Sequence, residues 1–207
     1  MVYAILLIAT GRTEEALREA ARAQELDPLS LIVVTQTAWI NHFARRYDEA
    51  IAQYRKVLDV DPEYVWALWQ LGQACTYTAR HPEAIRTLEK ATALSERSPA
   101  ILASLGAAYA LSGRPEAARR LLKELEDLSS RRYVPPAAMA RIWFAFGNRD
   151  QGFAWLEHAW KERSNAIAFL AVWPMLDCCR ADPRYQDLLR RIGLGPGPVS
   201  ARAATPE

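Results

Sequence analysis

Small and apolar residues return along this chain every 34 positions. Starting at Ala16, steps of 34 reach Ala50, Ala84, Ala118 and Gly152. Four residues beyond each lie Ala20, Tyr54, Leu88, Leu122 and Leu156, and seven beyond lie Ala23, Val57, Ala91, Leu125 and Ala159. Five residues ahead of each stands a turn column: Gly11, Arg45, Ala79, Gly113 and Gly147. A register that holds in four columns across five units is an internal repeat.

Each unit reads as a helical hairpin. Apolar positions recur at helical spacing in two blocks, such as Leu102, Leu105, Gly106, Tyr109 and then Ala118, Leu121, Leu122, Leu125. Breakers separate the blocks: Ser112-Gly113-Arg114-Pro115, Phe146-Gly147-Asn148 and Ala79-Arg80-His81-Pro82. Glycine there admits the positive φ that ends a helix, and proline suits the first turn of the next. Asp27-Pro28, Asp61-Pro62 and Ser98-Pro99 punctuate the units themselves. The small column marks where two helix backbones approach most closely. One hairpin cannot bury its apolar stripe alone, but a stack can, and the stack has a concave face.

These columns, with Leu71-Gly72 and Leu105-Gly106-Ala107-Ala108-Tyr109 in the first helices, resemble the tetratricopeptide repeat (TPR). The resemblance covers residues 1–166. It implies an all-α, right-handed α-solenoid of about five TPR hairpins (1–30, 31–64, 65–98, 99–132, 133–166), closed by a C-terminal capping helix. Asn41 stands where an aromatic is usual, and Gly152 where alanine is. The first unit starts about four residues inside its own first helix, which is expected of an array entered part-way. Residues 167–192 do not repeat and read as a cap, with Asp182-Pro183 opening an amphipathic helix through Tyr185, Leu188 and Leu189. Residues 193–207, rich in Gly, Pro and small residues, are expected to be a disordered tail.

The order Arg132-Tyr133-Val134-Pro135-Pro136, Trp155-Leu156-Glu157 and Arg180-x-Asp182-Pro183-Arg184-Tyr185-x-x-Leu188-Leu189 is similar to the C-terminal repeats of large bacterial multidomain regulators. Those regulators carry a Ser/Thr kinase, a cyclase-like module or a winged-helix DNA-binding domain. Trp173 replaces an acidic residue usual there, and Cys178-Cys179 replace a Pro-Leu pair. The resemblance implies a regulatory remnant as the alternative function, and it transfers no catalytic residue.

Composition narrows the chemistry further. The 207 residues are 51% hydrophobic, and 26 basic against 24 acidic side chains leave a formal charge of +2. That balance argues against nucleic acid as a direct partner, since phosphate neutralisation needs a basic excess. Cys75 and Cys178-Cys179 are too few for a disulfide framework, and His42, His81 and His158 are too scattered for metal ligation. Cys178-Cys179 read as cap residues, with redox sensitivity the alternative. The apolar residues 1–9 lack the basic flank of a leader and the length of a membrane span. A cytoplasmic protein with no membrane contact, cofactor or metal is expected. No phosphate loop, HExxH, GxSxG or paired CxxC is present, so the expectation is not an enzyme.

The resemblance places the first helix of each unit on the concave groove. The expected partner-binding residues are Thr35, Trp39, Phe43, Trp66, Trp69, Gln73, Tyr77 and Arg141, an aromatic shelf for a peptide or helix of a protein partner. The alternative is that these indoles pack between repeats. The Lys, Asn and Arg clamp by which some such repeats hold acidic tails is missing: Thr35, Trp39, Trp69, Gln73, Ala103 and Ala107 stand there. The truncated N-terminal repeat leaves an apolar edge at residues 1–9, where a homodimer could form.

Overall fold

The computed structural model describes residues 1–194; the tail expectation for 195–207 lies outside them. Within the described residues ten helices pair into five hairpins. These are α1 (Val2–Ala9) with α2 (Thr13–Leu26), α3 (Leu31–Phe43) with α4 (Tyr47–Val60) and α5 (Val65–Tyr77) with α6 (His81–Leu94). They continue as α7 (Pro99–Leu111) with α8 (Pro115–Ser129) and α9 (Pro136–Ala145) with α10 (Arg149–Lys161). Two short 3-10 segments, Asn165–Phe169 and Pro174–Cys179, lead to α11 (Pro183–Arg191). Each hairpin packs on the next, forming a helical solenoid of repeats, and no strand occurs among the described residues.

The repeat columns have direct physical causes. All five residues of the turn column take positive φ: Gly11 79°, Arg45 67°, Ala79 57°, Gly113 76° and Gly147 76°. That conformation turns the chain out of one helix and into its partner, and the two non-glycine residues adopt it at a steric cost. The small column is wholly buried, from Ala16 to Gly152. Gly152 departs from alanine for a local reason. A Cβ there would meet the Phe144 ring at 2.7 Å, so the large ring on α9 fills the space alanine occupies in the other units. Asn41 also has its reason. Its side-chain amide donates to Gln53 (3.0 Å), and Gln53 donates to Gln24 (3.1 Å), a polar relay that ties the first two hairpins together.

The segment after the last hairpin does more than cover an open end. It runs back along the inner face to the first hairpin, and both ends of the array share one apolar cluster. Leu7 and Ile8 of α1, Ile40 and Phe43 of α3, Leu156 of α10, and Ile167, Leu170, Leu176, Tyr185 and Leu188 all belong to it. Arg45 clasps this closure. Its Nε and Nη2 donate to the Asp177 carboxylate (2.8 and 2.7 Å), and its Nη1 donates to the carbonyls of Phe43 and Val172 (2.6 and 2.8 Å).

The residues of the C-terminal motif spend their polar atoms within the cap and against α10. Arg180 donates to the Ala171 carbonyl (2.8 Å), the Tyr185 hydroxyl (2.9 Å) and Asp177 (2.8 Å). Asp182 caps α11 by accepting from the Arg184 N–H. Arg184 bridges to Asp150 on α10 (2.7 Å) and lies 4.4 Å over the Phe153 ring. Gly193 ends α11 at φ 75°, and the Leu194 N–H returns to the Leu189 carbonyl.

Candidate binding site on the inner face

The first helices of four hairpins present their inner-facing side chains to one another. The returning segment closes the space between them into a half-enclosed cavity of about 260 Å³. Its walls are aromatic: Trp39 and Phe43 from α3, Trp69 and Tyr77 from α5, and Phe169 and Trp173 from the returning segment. Phe169 meets Trp39 edge-on at 5.0 Å and stacks on Phe43 at 5.7 Å. One pole is polar. Arg141 on α9 donates to Gln73 (2.6 Å) and to the Tyr77 hydroxyl oxygen (3.4 Å), while Gln73 donates to Gln70 (3.1 Å). The guanidinium carbon lies 5.9 Å from the centre of the Trp173 ring.

Of the eight residues expected to form the groove, six line this cavity: Trp39, Phe43, Trp69, Gln73, Tyr77 and Arg141. Thr35 is buried, with its hydroxyl donated to the Leu31 carbonyl (2.6 Å). Trp66 lies outside the cavity, half-buried, 6.5 Å from Trp39. The Trp69 indole N–H donates to Ser104 across the repeat boundary (2.8 Å), so that side chain both packs between units and faces the cavity. Sequence reasoning missed the closing wall of Phe169 and Trp173. The one available signal was the apolar stretch at 167–172, too long for a solvated linker.

Burial sets the titration of the groups here. His42 is pushed down to about 3, first by burial and then by the positive charges of Arg45 and Arg141. Tyr77 is held above the ordinary phenol range, burial outweighing its arginine neighbours. Burial alone would raise Asp177, but hydrogen bonds from Arg45 and Arg180 hold its carboxyl below the usual range. The three cysteines are free thiols, and burial pushes Cys75 up to about 12 and Cys179 to about 11. Thiols so protonated are poor nucleophiles at neutral pH. Among the described residues, no three His, Cys, Asp or Glu side chains gather as metal ligands. Nor is any described helix long and apolar enough to cross a membrane.

Comparison with known proteins agrees with this geometry. Residues 46–75 match a family model described as TPR repeat, and residues 76–133 match one described as tetratricopeptide repeat. A search of curated proteins gives no match. Among solved structures, a thermophilic TPR protein of Thermus thermophilus superimposes with a TM-score of 0.63 at 20% identity. That alignment covers 85% of this chain and 96% of that one. The pilF protein of Pseudomonas aeruginosa gives 0.55 at 19% identity, over 94% and 90%. MamA of AMB-1 gives 0.52 at 23% identity, over 64% and 72%. At these identities the likeness carries the fold alone.

Proposed function

We propose that this TPR-containing chain is a non-catalytic, cytoplasmic scaffold that holds a peptide or helix of another protein against the inner face of its repeats. Stacked TPR hairpins are a protein-interaction architecture, and the repeat matches at 46–133 support that general reading. One observation carries the finer one: a chain segment already docks on this face, with Phe169 packed against both Trp39 and Phe43. A short helical turn that carries an aromatic side chain is therefore a ligand that the inner face can accept. Trp66, Trp39 and Trp69 each keep part of their surface open on this face, and indoles are among the side chains binding hot spots favour.

The test compares proteins retained from lysate by the intact chain and by Trp66→Ala/Trp69→Ala, after circular dichroism shows both folded. A partner held by the first and lost by the second is expected. Identical partner sets would remove the groove assignment.

A self-partner is a further proposal. Val2, Tyr3 and Leu6 stay exposed on α1 beside the buried Leu7 and Ile8, an apolar strip that a second copy could cover. Sedimentation over a concentration series should reveal dimers that Leu6→Glu abolishes, and a monomer throughout would discard the idea. The alternative of an adjacent kinase, cyclase-like or DNA-binding module rests on the Arg180–Leu189 motif. An in-frame catalytic domain upstream of Met1 in the gene would support it.

A further inference from the structure

We propose that the half-enclosed cavity is a binding site for a small organic anion, an aromatic or aliphatic carboxylate whose acid group pairs with Arg141. The proposal goes beyond the partner groove: the cavity shares Trp39 and Trp69 with that groove, but Trp66 takes no part in it and its ligand is a small molecule.

Charge argues first. The lining contains one guanidinium and no aspartate or glutamate. Several arginines of this protein pair with carboxylates, such as Arg45 with Asp177, Arg97 with Glu124, Arg184 with Asp150 and Arg191 with Glu157, whereas others reach none. Arg141 has no acidic partner among the described residues. Its Nη1 bonds to Gln73 and Tyr77, while its Nε and Nη2 make no bond there. A half-buried guanidinium presenting free N–H groups is built for the paired oxygens of a carboxylate. Neighbouring groups add donors, since the Tyr77 O–H has no acceptor of its own.

Size and polarity argue next. A cavity of about 150 Å³ is enough for a benzene ring. The 260 Å³ here leaves room for one ring and a short acid-bearing arm. The lining also includes the rings of Trp39, Trp69 and Phe169, with Pro135 and Pro174. Such walls take an apolar body and reject a hydrated ion, so inorganic phosphate is a poor fit. His42 adds an independent mark of an incomplete site: it lines the cavity, is almost wholly buried, and its Nδ1 has no partner. Buried polar atoms are nearly always satisfied in a finished structure.

The test titrates phenylacetate, indole-3-acetate and octanoate into the full chain, with phenylacetamide, indole-3-acetamide and octanamide as neutral counterparts. Calorimetry measures affinity, and nuclear Overhauser contacts locate the ligand. Saturable binding of at least one acid is expected, with contacts to Trp39, Phe169 or Trp173. Its amide should bind about tenfold more weakly or not at all. Arg141→Met should weaken the acid about tenfold and leave any amide binding unchanged, with Arg141→Lys intermediate. If Arg141→Met does not fold, the acid–amide comparison on the intact chain decides alone. No saturation by any acid up to about 5 mM would overturn the proposal. Equal affinity for acid and amide, or contacts elsewhere on the protein, would do the same. A short peptide ending in phenylalanine that binds about tenfold tighter than the free acids through Arg141 would reassign the cavity to a partner's C-terminus and overturn it too.

Discussion

The ring of His42 stands edge-on to Phe43, Tyr47 and Tyr77, where a charge has nowhere to be solvated. The folded protein therefore holds it neutral down to about pH 3, while the unfolded chain protonates it near 6.5. Between those values the unfolded state binds the extra proton, so stability is lost as pH falls from about 6.5 towards 3. Urea unfolding at about pH 7 and 4.5 should differ by a few kcal/mol, and His42→Phe should remove most of that difference. An unchanged pH dependence in the variant would show that the charge is accommodated. Asp177 acts in a separate window. Its carboxyl is held low by Arg45 and Arg180, so its contribution is lost only as pH falls below the ordinary carboxylate range of about 4. At this scale the sequence was half legible. His42 could be placed on the inner face by counting through its unit, but its burial depends on Tyr47 and Tyr77, which belong to other helices.

Hairpins were the most legible level, because each is specified by a few local columns. A left-handed turn, a small residue at the crossing and a proline or polar cap recur along the array, and the helices follow. Two departures from the columns mark where distant packing intervened. One is Arg45, which accepts a strained φ in the turn between α3 and α4 while its side chain reaches Asp177. The other is Gly152. Repeat arithmetic alone would favour Gly152→Ala, since alanine is the better helix former by roughly 1 kcal/mol. The structure inverts that expectation. The new methyl would sit 2.7 Å from the Phe144 ring, and overpacking of this kind costs about 1–3 kcal/mol. Thermal unfolding should show Gly152→Ala destabilised and Gly152→Ala/Phe144→Leu partly restored. A more stable single variant would mean that the ring moves aside freely.

An open array of repeats frays from its ends, because each unit contacts only its neighbours. Here the two ends are fastened together, with Leu7 and Ile8 in the same cluster as Leu170 and Leu188 and with Arg45 clasped to Asp177. Asp177→Ala should therefore speed amide exchange in α1 and α2 as well as in the returning segment. Acceleration confined to residues near 177 would mean that the ends hold independently. This closure was the least legible level of all. A repeat declares itself by recurring, whereas residues 165–194 occur once, and nothing local says that Phe169 will meet Trp39. The closure also bears on how the protein is made. The first hairpin leaves the ribosome before residues 165–194, whose side chains share its apolar cluster, have been translated. At about 5–20 residues per second, that interval is on the order of ten to thirty seconds. Through it the nascent chain carries an unfinished apolar surface on its first hairpin. Chaperone demand during synthesis is thus written into the position of the closing segment, and a circular permutant that translates that segment first should depend on chaperones less.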